Sequence, residues 1–523
     1  MPTALYRMLL SLALLLPVTA HAGEAADFVA ANPAKQAKLL ESWAAQPDAA
    51  RQPLLNALQR GRLASDSSKT PFIEDDGQYL PAEGSAEPSS PPKKLRLNNR
   101  LRGLLANAQA AQQLLSADPA QRLAAAQDLQ KKAKPSQLAL LNAQVAAEQK
   151  PAVRDALALA LANLQLADPD PGIRLQAVRL LGESGEPLAR TRLENLLAEG
   201  VESDAAVRTA AETSLAQVKR RLLVGELLGQ AFSGLSLGSI LLLAALGLAI
   251  TFGLLGVINM AHGEMLMLGA YTTYMVQIAF KNLAPEYLAL YPLAALPVAF
   301  FVTAAIGMAL ERTVIRHLYG RPLETLLATW GISLILIQAV RVIFGAQNVE
   351  VANPQWLSGG VQVLPNLVLP YSRMVIIGFA LFVVALTWLL LNKTRLGLNV
   401  RAVTQNRNMA ACCGVSTGQV DMLAFGLGSG IAGLGGVALS QIGNVGPDLG
   451  QSYIIDSFLV VVLGGVGQLA GSVLAAFGLG IANKLLEPQI GAVLGKILIL
   501  ALIILFIQKR PQGLFALKGR VID

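Results

Sequence analysis

The feature that most constrains this chain is a run without one charged side chain, from Leu227 to Gly263. A lipid core about 30 Å thick takes about 20 apolar residues to cross. Gly229 to Gly256 alone would make about 42 Å of helix at 1.5 Å per residue, so it must tilt, protrude or break. Further apolar tracts lie at Met265–Phe280, Leu293–Leu310, Thr325–Val340, Met374–Leu391, Met422–Gln441 and Ile497–Ile507. Ser457 to Asn483 is also uncharged, but Gly464, Gly465, Gly467 and Gly471 interrupt it. Inside lipid each segment must satisfy its own backbone polar groups, which selects helices. The expected fold is therefore all-α, a polytopic membrane helix bundle of about eight to ten spans.

Basic residues orient the bundle. Arg312, Arg316 and Arg321 form one cluster; Lys393, Arg395, Arg401 and Arg407 form a second; Lys509, Arg510, Lys518 and Arg520 form a third. Each belongs in the cytoplasm by the positive-inside rule, and the Lys- and Arg-free loop from Asn348 to Tyr371 belongs outside. With an exported start, the basic C-terminus (tail 516–523) returns to the cytoplasm only after an odd number of crossings. One span over Ser457–Asn483 breaks that parity; two short helices meeting near Gly467 restore it, for an expected count of about nine.

The chain is 523 residues long with 15% charged residues, and most of that charge lies before Glu226. Residues 1–22 read as a signal peptide: Arg7, an apolar stretch from Met8 to Leu16, and the small-x-small site Ala20-His21-Ala22. Whether it is cleaved or kept as an anchor, residues 23–222 are expected in the periplasm of a bacterial cell, beside its inner membrane. Asp75-Asp76-Gly77 signals a turn, with a hairpin there, and Pro81 to Pro92 reads as a linker. From Leu97 to 222 the units starting at Asp118, Pro151, Asp170 and Asp204 each place a Pro or Asp, then an Arg, then small apolar residues. Asp can cap a helix and Pro fits its first turn. These units resemble HEAT-like repeats, with an ordinary helical bundle as the alternative.

Composition excludes several classes. The net charge of +8 is dispersed in short loops, as membrane topology requires, so no nucleic-acid partner is expected. Cys412 and Cys413 are neighbours and make neither a disulfide nor a zinc site, so no metal or cofactor is expected. Gly491 to Lys496 lacks the spacing of a phosphate loop, so the chain is not expected to be an enzyme that hydrolyses nucleotide.

The most unusual stretch is Ile258-Asn259-Met260-Ala261-His262-Gly263-Glu264, an amide, an imidazole and a carboxylate closing an apolar run. Charge at mid-membrane costs about 2.5–3.5 kcal/mol and normally faces a cavity, a partner or the interface. Two readings stand: a cytoplasmic interfacial turn, or a broken helix lining a solute pathway. Thr329, Ser333 and Ser429 add uncharged donors and acceptors inside spans.

At these residues the sequence resembles a family. Gly253-Leu254-Leu255-Gly256-Val257-Ile258-Asn259-Met260-Ala261-His262-Gly263-Glu264 is similar to the first signature of LivH-type branched-chain amino-acid ABC permeases. Leu396-Gly397-Leu398-Asn399-Val400-Arg401-Ala402, Asn408-Met409-Ala410, Val462-Leu463-Gly464-Gly465-Val466-Gly467 and Arg510-Pro511-Gln512-Gly513-Leu514-Phe515 follow in family order. The permease domain so defined is 227–515, and the long exported extension resembles the urea-transport branch, B-type permease subunits. The resemblance implies an ATP-driven importer with a periplasmic substrate-binding protein, a second permease subunit forming a heterodimer, and two cytoplasmic ATP-binding subunits. Urea or a close amide is the implied solute, with a branched-chain amino acid as the alternative. It also places Arg401, Ala402, Asn406, Met409, Ala410 and Gly414 in the segment that couples to the ATPase. An ATPase-independent channel or secondary transporter remains a rival. A membrane-anchored sensor is the other, although the loops are too short for a signalling domain.

Overall fold

The computed structural model describes residues 23–75, 78–82, 88–511 and 513–515. The signal segment, the tail 516–523 and the turn residues Asp76 and Gly77 lie outside the described residues. The chain divides into two compact units between Leu222 and Leu223.

The first unit opens with helices α1 (Glu24–Ala30), α2 (Pro33–Ala45) and α3 (Gln52–Gln59). It continues through α4 (Asn99–Gln113), α5 (Pro119–Lys132), α6 (Leu138–Ala147), α7 (Pro151–Gln165), α8 (Pro171–Glu183) and α9 (Pro187–Leu196). The Asp-Pro pairs start helices as the sequence implies: Asp118 accepts from the Ala120 amide at 2.9 Å and Asp170 from the Gly172 amide at 2.8 Å. Phe28, Leu40, Trp43 and Leu105 form one core, and Leu129, Leu141 and Leu157 a second.

The chain is mainly helical, as expected, and the first unit adds a small sheet to its helices. Strands β1 (Leu63–Ser65), β2 (Pro71–Asp75), β3 (Gln78–Pro81) and β4 (Lys93–Lys94) make an antiparallel sheet in the order β3-β2-β1-β4. Asp75 pairs with Gln78 across the expected hairpin. The segment read as a linker is tied back to the sheet, because the buried Asp66 carboxylate accepts from the amides of Ser68, Thr70 and Ser89 and from the Ser89 hydroxyl. A buried carboxylate is tolerable only with its hydrogen bonds met, and Ser89 supplies two of them.

Helix α10, Ala205–Leu255, is 51 residues long. The second unit then contains α11 (His262–Leu283), α12 (Tyr291–Thr313), α13 (Pro322–Phe344) and α14 (Tyr371–Lys393). The short helices α15 (Arg395–Gln405) and α16 (Arg407–Cys412) precede α17 (Thr417–Ser440), α18 (Leu449–Gly464), α19 (Leu469–Ile490) and α20 (Ala492–Lys509). A hairpin of β5 (Gly360–Leu364) and β6 (Leu367–Pro370) lies between α13 and α14. Among the described residues seven helices are long and apolar enough to cross a membrane, fewer than the expected nine. The two that fall short flank the breaks: α11 carries Glu264, Thr272, Thr273 and Gln277, and α18 has 16 residues. The break near Gly467 is present, with Gly465 at φ 98° and Gly467 at φ 83°.

Helix α17 packs against both α11 and α12 at the centre of this unit. Its glycines allow backbone-to-backbone approach: a methyl group on Gly269 of α11 would sit 2.7 Å from the Gly433 Cα of α17. Lipid offers no hydrophobic force between helices, so such contact supplies the packing.

Candidate functional site

The uncharged run breaks where α10 ends at Leu255, and Gly256 turns the chain at φ 69°. The chain folds back instead of continuing, because His262, the first residue of α11, reaches the Ala244 carbonyl at 3.0 Å. That carbonyl lies about three turns before the end of α10. Helix α11 therefore begins alongside the interior turns of α10, with His262 packed against it.

His262 is 0% exposed. A carbonyl only accepts, so Nε2 carries the proton and Nδ1 presents a lone pair, which has no partner among the described residues. Asn259 accepts from the Ala261 amide at 3.1 Å through Oδ1 and leaves Nδ2 unpartnered. Glu264, 1% exposed, accepts from the Ser333 hydroxyl at 2.9 Å through Oε1 and leaves Oε2 unpartnered. Thr329 accepts from the Met260 amide at 3.1 Å, so α13 holds the break from the side. Burying a polar atom unpaired costs about 1–3 kcal/mol, and one helix start carries three such atoms. Buried polar atoms are in general met by a protein group or by ordered water.

The structure thus brings Asn259, His262, Glu264, Thr329 and Ser333 together. Ser429 is placed elsewhere: it is 0% exposed and points at Gly307 of α12, whereas its neighbour Gly428 faces Gly247 and Thr251 of α10.

The segment between α14 and α17 folds as two short helices. Arg401 donates to Asn392 Oδ1 at 3.1 Å, and Ala402 sits in α15. Asn406 caps α16 by accepting from the Met409 amide at 3.0 Å. Ala410 is buried beneath, and Gly414 ends the segment at φ 83°. Leu398 and Met409 are 60% and 59% exposed, apolar side chains left uncovered.

Sequence reasoning missed a cluster beside this segment. Arg407 pairs with Asp421 of α17 and stacks on Tyr319, whose hydroxyl donates to Glu311 of α12 at 3.3 Å. The available signal was a lone acid in an apolar tract, since Asp421 precedes Met422–Gln441 and Glu311 closes Leu293–Leu310. Burial of the Tyr319 ring raises its hydroxyl pKa well above the ordinary value. At the other end Tyr291 donates to the Ala352 carbonyl at 2.9 Å and to Gln441 at 3.2 Å, and Val349 bridges Val445.

A many-helix apolar bundle, broken at a buried polar helix start, defines a multi-pass membrane protein. Residues 230–507 match the family described as the branched-chain amino acid transport system permease component, and the chain belongs to it. The high-affinity branched-chain amino acid transport system permease protein LivH of Escherichia coli K12 is 30% identical over 292 residues, 55% of this chain and 94% of that relative. LivH of Salmonella typhimurium is 29% identical over the same shares. BraD of Pseudomonas aeruginosa is 30% identical over 293 residues, 55% of this chain and 95% of the relative. No solved structure matches the chain. Such relatives are transport components of a membrane, so this chain is a multi-pass inner-membrane permease component.

Proposed function

We propose that the chain is the membrane-spanning subunit of an ATP-driven importer, and that solute passes the break between α10 and α11. The carrying observation is the buried helix start, where Thr329 holds the Met260 amide, Ser333 holds Glu264, and Asn259, His262 and Glu264 retain polar atoms unpaired among the described residues. Donors and acceptors in that number suit weak, exchangeable hydrogen bonds to a small polar solute. A second permease subunit, two ATP-binding subunits and a substrate-binding protein complete the assembly. Helices α15 and α16, with Leu398 and Met409 uncovered, face the ATP-binding subunits in the cytoplasm. Residues 23–222 lie in the periplasm as a HEAT-like repeat that receives the binding protein.

The names of the relatives favour a branched-chain amino acid as the solute. Urea is the second reading, favoured by one observation: the family match begins at residue 230 and leaves the whole first unit as an addition to the permease. Proteoliposomes holding all subunits are loaded with ATP and offered leucine and urea in parallel. ATP-dependent leucine uptake supports the first solute and ATP-dependent urea uptake the second. Uptake of either at full rate without ATP-binding subunits rejects the importer in favour of a channel or secondary transporter.

A further inference from the structure

Four side chains from four segments meet at the basic end of the second unit. Arg407, the first residue of α16, pairs with Asp421 of α17, whose side chain is 0% exposed. The Arg407 guanidinium carbon also lies 4.9 Å from the centre of the Tyr319 ring. The Tyr319 hydroxyl holds Glu311, 2% exposed, on α12. Beneath the ring Tyr319 packs on a small apolar cluster of Val257, Ile315 and Phe425. Val257 belongs to the break itself, two residues before Asn259.

We propose that Arg407 and Tyr319 are positioning residues that tie α16 to the chain break carrying Asn259, His262 and Glu264. The inference rests on the reading that α15 and α16 face the ATP-binding subunits. A buried carboxylate stripped of its partner is strongly unfavourable, so α16 cannot leave Asp421 without a replacement charge. Displacement of α16 is therefore passed to α17 through the ion pair and to Val257 through the ring. Close-packed interiors transmit such strain and do not absorb it. Arginine is required in this role, since its planar guanidinium stacks on a ring while pairing with a carboxylate, and a lysine ammonium does not present that flat face.

The test uses the full complex in proteoliposomes, with leucine and urea as transported probes. Solute moved per ATP hydrolysed is measured for Arg407→Lys, Tyr319→Leu and Tyr319→Phe. In parallel a thiol cross-linker is applied from the exposed Cys412 and Cys413 to the ATP-binding subunits. Expected is an intact cross-link with about a tenfold loss of solute per ATP in Arg407→Lys and Tyr319→Leu, while Tyr319→Phe, which keeps the ring, stays within about threefold. A wild-type ratio in both of the first two variants overturns the proposal, as does loss of the cross-link in them, which would make the cluster a docking support only. No cross-link in the unmodified protein shows instead that the ATPase-facing reading has failed, and this inference with it. Thermal unfolding of each variant separates a folding defect: Tyr319→Leu melting like the wild type yet transporting normally also counts against the proposal.

Discussion

Arg122 donates to both carboxylate oxygens of Glu148, from Nε at 2.8 Å and from Nη2 at 3.0 Å. Its remaining nitrogen reaches the carbonyls of Ser116 and Ala117. The same clasp is built a second time by Arg174 on Glu202, at 2.8 Å from each nitrogen, with the carbonyls of Asp168 and Pro169. Each glutamate also accepts a backbone amide two residues on, from Lys150 or from Asp204. The clasp thus recurs at every second sequence unit: the Asp118 and Asp170 units supply the arginine, and the Pro151 and Asp204 units follow the glutamate.

The clasp gives the first unit an acid-sensitive step. The bond from Arg122 holds the Glu148 carboxyl down at about 2, from an ordinary 4.5, and Glu202 is lowered by Arg174 in the same sense. A carboxyl whose folded pKa is depressed contributes stability above its unfolded pKa and loses it as pH falls through the folded one. Amide exchange of residues 118–150 in the full-length protein, corrected for intrinsic rate, should be flat above pH 5 and rise between about pH 4.5 and 2. Glu148→Gln should produce that loosening already at neutral pH, at about 2 kcal/mol. Flat exchange down to pH 2 in the unmodified protein refutes the clasp.

Backbone contact in the second unit predicts an asymmetry between glycines. A methyl on Gly269 would collide with the backbone of Gly433, whereas one on Gly331 of α13 would meet nothing within 4 Å. Overpacking costs about 1–3 kcal/mol, so Gly269→Ala should lower the melting temperature in detergent and Gly331→Ala should leave it unchanged. Equal melting of the two variants speaks against the packing.

Ser333 makes the hydrogen bond that Glu264 receives. Removing it with Ser333→Ala forfeits about 1.5–3 kcal/mol at a charged acceptor and frees the carboxylate to move. Uptake should fall about tenfold with the amount of protein in the membrane unchanged. Ser429→Ala, which faces Gly307 of α12, should cost less than about twofold. The reverse order of effects would move the pathway to α12 and α17.

How much of this was legible depended on the kind of signal. Asp118, Pro119, Asp170 and Pro171 act through local backbone rules, and the helix starts follow from them directly. The breaks at Gly256 and Gly467 also follow, because an uncharged run too long for the bilayer must end somewhere and glycine tolerates positive φ. Hydropathy did not show that α11 starts at His262 and Glu264 with its first residue bonded to Ala244 of α10, since Met265–Phe280 reads as an uninterrupted apolar tract. The Arg407–Asp421–Tyr319–Glu311 cluster was illegible because its members are far apart in sequence and only tertiary packing joins them. The placement of Ser429 was not legible from its polarity, since its helical phase, one residue from Gly428, aims it at Gly307.

The orientation of the bundle yields the last prediction. Cys412 and Cys413 are exposed at the end of α16. Arg407 in that helix stacks on Tyr319, so the loop holding Arg316 and Arg321 lies at the same end of the second unit. Positively charged loops are retained on the cytoplasmic side, and two such loops at one end fix the direction jointly. A membrane-impermeant maleimide should therefore label both cysteines in inside-out vesicles and neither in right-side-out vesicles. Removing both thiols with Cys412→Ser and Cys413→Ser should abolish the signal, which assigns it to this segment. Labelling from the outer face would place α15 and α16 where no ATP-binding subunit can reach them, and the importer would have to couple elsewhere or not use ATP at all.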